Sequence, residues 1–433
     1  MRSPISRRHF LKAAATLAAF PTIIPASALG LEGRPAPSNR FTTAVIGLGD
    51  RGGQHLDVLL DMPVTQMLAV CDPYRSKGEK FKKYAEDRYA RTQPGGSLGG
   101  CKAYQDFREI VARPDIDTIF ITAPENWHAA ISIAAMRAGK DVYCEKALSL
   151  TVAEGRAMCS AVRRTARILQ AGTQQRSDRN FRLACELARN GYLGNVHTVE
   201  VSVPGGRTLP LGTPSAPPPD LDYDLWLGPA PWTPYNDVKC TYNWYFMSDY
   251  CIGWIGSWGV HHVDIALWGA PALHRGRMEF SGTATFPTVG LADTSLSWDV
   301  QCTPASGPKL RFADQTIMPH GVRFIGDQGR VEVWRGGIKA EPDSLLTTNF
   351  SPGDERLPVS GHHLVNFFDS VKSRQDPIAP VETCHAATTL TTVADIATRL
   401  QRKLTWDWET ESFVNDDAAN RLLSRSLRGP WQV

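Results

Sequence analysis

The sequence contains no long unbroken apolar run. Its best stretch, Ala13 to Ile24, is interrupted by Pro21 and falls short of the ~20 residues a membrane-spanning helix needs, so no stable membrane anchor is expected. Charge of one sign is missing as well. Lys and Arg number 47 against 44 Asp and Glu, and without a basic excess nucleic acid is not an expected partner. The nine cysteines are scattered, odd in number and lack a C-x-x-C pair, which excludes a disulfide framework or a structural zinc site as the organising device. No H-E-x-x-H or Cys cluster is found, and no metal is expected. Repeats and low-complexity arrays are absent. What remains is a globular composition, 42% hydrophobic and 21% charged over 433 residues, enough for two domains with well-buried cores.

Residues 1–30 read as a leader. Ser6-Arg7-Arg8-His9-Phe10-Leu11-Lys12 is a twin-arginine pattern, and a modest apolar run leads to Ala26-Ser27-Ala28 before Leu29. This is the grammar of a bacterial twin-arginine export signal, expected to engage that export machinery and to deliver a folded protein to the periplasm or beyond. Removing Arg2, Arg7, Arg8 and Lys12 takes the formal net charge from +3 to −1. Residues 31–40, containing Pro and Ser, read as a linker.

The rest of the chain is organised around Phe41 to Gly53. A short apolar run, Ala44-Val45-Ile46, enters Gly47-x-Gly49-x-x-Gly52. Gly47 permits a tight turn, Gly49 lets backbone approach a pyrophosphate, and Gly52 lets the following helix pack on the strand. Asp50 and Arg51 occupy the same phosphate-facing turn, at the positive end of a helix dipole. A second buried strand, Gln66 to Cys71, ends on Asp72, about 20 residues after the glycines, where an acid can hold a ribose 2′-hydroxyl. Asp72 argues for NAD. Arg75, just beyond, could accommodate the 2′-phosphate of NADP, so both dinucleotides stay open.

Downstream, short apolar runs alternate with helical patterns, as in βαβ units. Tyr74 to Arg91 reads as a helix, Thr92 to Gly100 as a loop, and Asp106 to Ala112 as a helix. Thr118 to Thr122 and Asp141 to Cys144 read as strands, with Trp127 to Ala138 as the helix between them. Thr151 and Glu154 form a capping box opening the helix Thr151 to Ala166. After Leu169 strands dominate, at Val196 to Val203, Met278 to Phe286, Leu296 to Cys302, Val322 to Ile325 and Gly329 to Trp334. A Pro-rich excursion from Pro204 to Pro219 intervenes, and the helices His362 to Ser373 and Cys384 to Gln401 follow. The expected architecture is α/β: a Rossmann dinucleotide-binding domain over 41–170, then an α+β domain over 171–433 with a largely antiparallel open sheet. That open face makes a homo-oligomer an expectation.

Four pieces together resemble the Gfo/Idh/MocA oxidoreductase family. They are Gly47-Leu-Gly49, Thr122-Ala-Pro124-Glu-Asn126-Trp-His128, Glu145-Lys146, and Gly256-Ser-Trp-Gly-Val-His261-His262-Val-Asp264. Gly172-Thr-Gln174-Gln-Arg-Ser177 and Asp222 to Trp232 resemble the exported branch. The resemblance implies that Thr122, Pro124, Asn126, His128, Glu145 and Gln174 border the cofactor. Lys146, at a strand's carboxyl end, is the leading catalytic candidate, able to hydrogen-bond a substrate hydroxyl and stabilise a developing alkoxide. Relatives carry Pro after this lysine; here it is Ala147. In the family's sugar dehydrogenases an Asp and, four residues on, a His complete the site. The His aligns with His261, but Ser257 stands at the Asp position, leaving His262 or Asp264 as possible helpers. One of the two histidines is equally readable as a buried structural residue. Clustered aromatics, notably Trp127, Tyr242, Trp244 and Tyr245, suit the apolar faces of sugar rings as well as core packing, and His385 is a further candidate for the site lining.

Two activities follow from the resemblance. One is oxidation of a secondary hydroxyl of a sugar, glycoside or polyol with a tightly bound NAD, or NADP, recycled on a second sugar. The other is a glycosidase working by transient oxidation, elimination and water addition.

Overall fold

The computed structural model describes residues 39–92 and 100–433. The proposed export signal and most of the linker lie outside these residues, as does nearly all of the Thr92 to Gly100 loop.

Six parallel strands form the first sheet: β1 (Phe41–Ile46), β2 (Thr65–Cys71), β3 (Lys102–Tyr104), β4 (Thr118–Ile121), β5 (Asp141–Cys144) and β6 (Leu169–Ala171). Their spatial order is β3-β2-β1-β4-β5-β6, the doubly wound order that reverses direction between β1 and β4 and opens a crevice there. Helices cover both faces, and so β4 and β5 are buried along their whole length, as the apolar runs require. The capping box at Thr151 and Glu154 is present. One helix of the later chain, His363–Ser373, also packs on this sheet: Phe367 and Phe368 meet Phe120 at 5.4 and 6.1 Å, and Phe368 stacks on Phe41 at 5.3 Å.

The second sheet has nine strands: β7 (Val196–Val203), β8 (Arg277–Thr285), β9 (Ser297–Pro304), β10 (Lys309–Asp314), β11 (Gly321–Gly326), β12 (Arg330–Trp334), β13 (Gly337–Glu341), β14 (Leu404–Asp407) and β15 (Ser412–Phe413). The order is β13-β12-β11-β7-β10-β9-β8-β14-β15. Every pairing is antiparallel except β7 with β10. Inward residues such as Met278, Phe280, Val300, Cys302, Leu310 and Phe312 are buried, packed against the helices Gly259–Gly269 and Val381–Leu400. The outer face carries ion pairs, among them Arg311 with Asp299 and Arg323 with Glu332.

The Pro-rich excursion and the segment after it, residues 204–245, form a strap over the crevice. Arg75 N–H donates to the Asp220 carbonyl at 2.9 Å, and Asp222 N–H to that of Pro73 at 3.0 Å. The Trp127 indole donates to the Leu225 carbonyl at 3.1 Å, and the Asn126 amide to that of Leu227, also at 3.1 Å. The tail completes the clamp, with Trp431 packed 4.6 Å from Trp127. All nine cysteines are buried and unpaired.

Candidate active site

The glycine turn explains the first half of the site. Gly47 sits at φ +93°, where a side chain is strained. A Cβ on Gly52 would lie 2.0 Å from the Gly47 carbonyl oxygen, whereas one on Gly49 would meet nothing within 4 Å. So Gly52 serves close helix–strand packing, and Gly49 borders open space over the N-terminus of the helix Asp50–Asp61. That is the cradle a dinucleotide pyrophosphate requires, and the residues present fit NAD.

A cavity of about 500 Å³ runs from this turn along the β1–β4 crevice, lined by Gly47, Gly49, Asp50, Arg51, Asp72, Thr122, Pro124 and Trp127 on the sheet side. Trp226, Tyr242, Trp244 and Tyr245 close it from the strap. Asp72 accepts from Leu48 N–H at 2.8 Å and Tyr74 N–H at 2.9 Å, so its carboxylate is held in place at the crevice wall. Burial raises its pKa, and Lys77 opposes that shift.

A second chamber of about 250 Å³ shares Arg51, Gln54, Thr122, Ala123, Tyr242, Trp244 and Tyr245 with the first and continues to Glu145, Lys146, Gln174, Ser257, Trp258, His261 and Arg335. The Lys146 ammonium donates to the Ser257 hydroxyl at 3.0 Å and to its carbonyl at 3.1 Å, and lies 5.5 Å from the centre of the Tyr245 ring. The Lys146–Ala147 peptide is cis. His261 is buried, and no described residue bonds its Nδ1. Burial, then the charges of Lys146 and Arg335, hold this imidazole neutral, well below the usual histidine range.

Glu145 does not pair with the Lys146 ammonium. Its Oε1 accepts from Arg51 Nε and His55 Nε2, each at 2.7 Å, and from Gln174 at 3.0 Å. Burial alone would raise this carboxyl's pKa; the His55 hydrogen bond and the charge of Arg51 prevail and hold it well below the usual carboxylate range. It is a buried hub that aims Arg51 and Gln174 into the chamber.

Several sequence expectations are corrected. His262 is buried, donates from Nδ1 to the Ser202 carbonyl at 3.0 Å and does not line the chamber; its pKa falls to about 3, chiefly through burial. Asp264 forms a buried two-pronged ion pair with Arg176, both bonds 2.7 Å, and faces away from Lys146's chamber. His262 is next to His261 and Asp264 three residues on, within one turn, but the helix Gly259–Gly269 is buried on every side, so its faces meet different neighbours. Asn126 donates its amide to the Leu227 carbonyl and lines neither cavity. His128 donates to the carbonyls of Ala147 at 2.7 Å and Ala123 at 2.9 Å; against the effect of burial, Cys144, Glu125 and the Ala147 carbonyl raise its pKa to about 9. It fastens the loops behind Lys146 and lines neither cavity. Trp127 lines the cofactor crevice but not the chamber around Lys146. His385 pairs with Glu411 at 3.0 Å outside both cavities. Arg75 turns to the Pro219 carbonyl, and Lys77 is the crevice cation whose charge acts on Asp72.

Sequence reasoning passed over His55, Lys77 and Arg335. Arg51 and His55 are four apart on one helix face and converge on Glu145, a spacing visible in the sequence. Arg335 sits in a β-turn far from every motif and carried no signal.

Comparison with known proteins agrees with this architecture. Residues 41–173 match the profile described as oxidoreductase family, NAD-binding Rossmann fold, and residues 206–268 and 346–433 match its C-terminal alpha/beta domain. Myo-inositol 2-dehydrogenase of Thermotoga maritima is 31% identical over 179 residues, 41% of this chain and 47% of that protein. Alpha-N-acetylgalactosaminidase of Shewanella oneidensis is 27% identical over 207 residues, 44% of each. The alignments thus span about half the length of these curated relatives. Among solved structures, aldose-aldose oxidoreductase from Caulobacter crescentus superposes with a TM-score of 0.61 at 19% identity, covering 84% of this chain and 99% of that one. GenD2 from gentamicin A biosynthesis, solved with NAD, gives a TM-score of 0.61 at 20% identity, covering 85% and 97%. The crevice geometry, the lysine at the end of β5 and the profile matches to both halves agree: the chain belongs to the Gfo/Idh/MocA oxidoreductase family of NAD-binding proteins.

Proposed function

We propose that the protein oxidises a secondary hydroxyl of a sugar, glycoside or polyol, and that Lys146 and His261 are its catalytic residues. The observation that carries this reading is their convergence, from the two halves of the chain, on one chamber that opens into the dinucleotide crevice. A bound nicotinamide supplies the hydride acceptor.

The cofactor would be held by the turn at Gly47 to Gly52, by Asp72 at the ribose, and by the Thr122–Pro124 edge of the crevice. NAD is favoured by Asp72, whose carboxylate repels a 2′-phosphate; Lys77 on the same wall is the feature that would admit NADP. Lys146 donates a hydrogen bond to the reacting hydroxyl oxygen and stabilises the negative charge that develops there. Neutral His261 accepts the hydroxyl proton. Ser257, in place of a carboxylate, leaves Lys146 one hydroxyl and one carbonyl as acceptors and gives His261 no anionic support. Trp244 and Tyr245, stacked at 3.7 Å, present an aromatic wall suited to a sugar ring.

The leader from Ser6 to Lys12 supports export with the cofactor already loaded. NAD would then stay tightly bound, and turnover would regenerate it on a second sugar. A second reading, hydrolysis of a glycoside through transient oxidation at C3, elimination, water addition and return of the hydride, is favoured by the similarity to the Shewanella glycosidase. Purified mature protein tests both. Nicotinamide absorbance should accompany the protein. A keto-sugar with a reduced partner supports oxidoreduction, free aglycone without net redox change supports the glycosidase, and no bound dinucleotide refutes both.

A further inference from the structure

The lining of the chamber around Lys146 holds more cations than carboxylates. Its lining includes three cations, Arg51, Lys146 and Arg335, and one carboxylate, Glu145. Glu145 is committed to Arg51 and His55. Among the described residues, the Lys146 ammonium bonds only neutral oxygens, those of Ser257. No hydrogen bond or ion pair joins Arg335 to any described residue; its guanidinium lies over the Trp258 ring, 4.6 Å from its centre.

The presentation of Arg335 is rigid. β12 and β13 pair through Trp334 and Gly337, leaving only Arg335 and Gly336 in the connecting turn, with Gly336 at φ +92°. A guanidinium carries its donors in a planar fork matched to two acceptor oxygens. Stacked on an indole at the rim of a sugar-sized chamber, it has donors left over for a ligand.

We propose that the substrate is an acidic sugar or glycoside, its carboxylate or sulfate ester gripped by Arg335 while Lys146 engages the reacting hydroxyl. This rests on the reading of the chamber as the site of hydroxyl oxidation. It also answers a difficulty in that reading. Lys146 and Arg335 both oppose protonation of His261, and an anion seated between them offsets the charge that His261 gains when it takes the hydroxyl proton.

The test uses full-length mature protein with its co-purified nicotinamide. Hexosides of gluco, galacto and manno configuration are offered in three forms: neutral, as the 6-carboxylate (hexuronide) and as the 6-sulfate. Arg335→Gln and Arg335→Lys are assayed alongside, with melting temperature and bound nicotinamide as checks on folding. The expected result is a kcat/KM at least about 10-fold higher on an anionic form than on its neutral counterpart. That preference should weaken with salt, collapse in Arg335→Gln through KM, and persist in part in Arg335→Lys. The carboxylate and sulfate arms identify which anion is preferred. A wild-type preference for neutral hexosides, or an anion preference that survives Arg335→Gln, overturns the assignment and leaves the oxidation reading standing. Absence of both bound nicotinamide and turnover overturns the oxidation reading itself, and this one with it.

Discussion

The two glycines after β1 make opposite demands, and exchanging each for alanine separates them. At Gly52 a methyl group would sit 2.0 Å from the Gly47 carbonyl oxygen and 3.0 Å from Thr122 Oγ1. The first contact involves backbone on both sides, so relief requires the helix Asp50–Asp61 to withdraw from β1 by more than an ångström. Overpacking of that kind costs about 1–3 kcal/mol, and Gly52→Ala should lower the melting temperature of the free protein. Gly49 lies at φ −79°, ψ −168°, a conformation alanine adopts freely, and its methyl would touch no protein atom. As a helix N-cap, alanine is worse than glycine by about 1 kcal/mol, and the reduced freedom of the unfolded chain offsets roughly 0.4–1 kcal/mol of that. Gly49→Ala should therefore melt within about 1 kcal/mol of wild type. The methyl does, however, fill the space into which a pyrophosphate must come. Nicotinamide content after purification and NAD affinity by calorimetry should fall by about 100-fold or more, because loss of close phosphate contact removes charge-assisted hydrogen bonds. If Gly49→Ala retains NAD as tightly as wild type, the phosphates do not lie over this turn.

Lys146→Ala should reduce turnover by about 10²–10⁴-fold while leaving nicotinamide binding intact, measured by steady-state kinetics beside the absorbance of the bound cofactor. Ser257→Asp places a carboxylate against Lys146 and near His261, which raises the pKa of the imidazole from its depressed value; the acid limb of the kcat/KM profile should move to higher pH. His363 is buried beside Tyr143 and donates to the Ala171 carbonyl at 2.9 Å, and its pKa is lowered from 6.5 to about 4, mainly by burial. The unfolded chain takes up that proton first, so this contribution to stability is complete above pH 6.5 and drains as pH falls towards 4, about 3 kcal/mol in all. Urea unfolding of His363→Gln between pH 7 and 4.5 should show a shallower loss than wild type, and an unchanged slope would refute the linkage.

Much of the first sheet could be read from local pattern. Asp141–Cys144 matches the expected strand residue for residue, and so does Val196–Val203 in the second sheet, where Val199, Val201 and Val203 alternate with polar residues. The expected strands missed β10, Lys309–Asp314, although Lys-Leu-Arg-Phe alternates, and also the short β3, β6, β13, β14 and β15. Short edge segments owe their pairing to neighbours distant in sequence, which local propensity does not register. The helix Val381–Leu400 began three residues earlier than its apolar pattern implied, with Pro380 as its N-cap.

In the site, three groups at strand ends were legible from the linear order of residues: a glycine turn, an acid closing β2, and a lysine after β5. These are set by covalent spacing within βα units, where the chain has little freedom. The tertiary structure decided which of the remaining polar residues reach that chemistry. His261, His262 and Asp264 share one helix that is buried all round, so packing sends the first to the chamber, the second to the Ser202 carbonyl and the third to Arg176. Arg335, more than 180 residues from Lys146 in the chain, enters the same chamber because the β12–β13 turn is carried there by the register of the nine-stranded sheet. Long-range strand pairing, which no local sequence pattern encodes, sets that position.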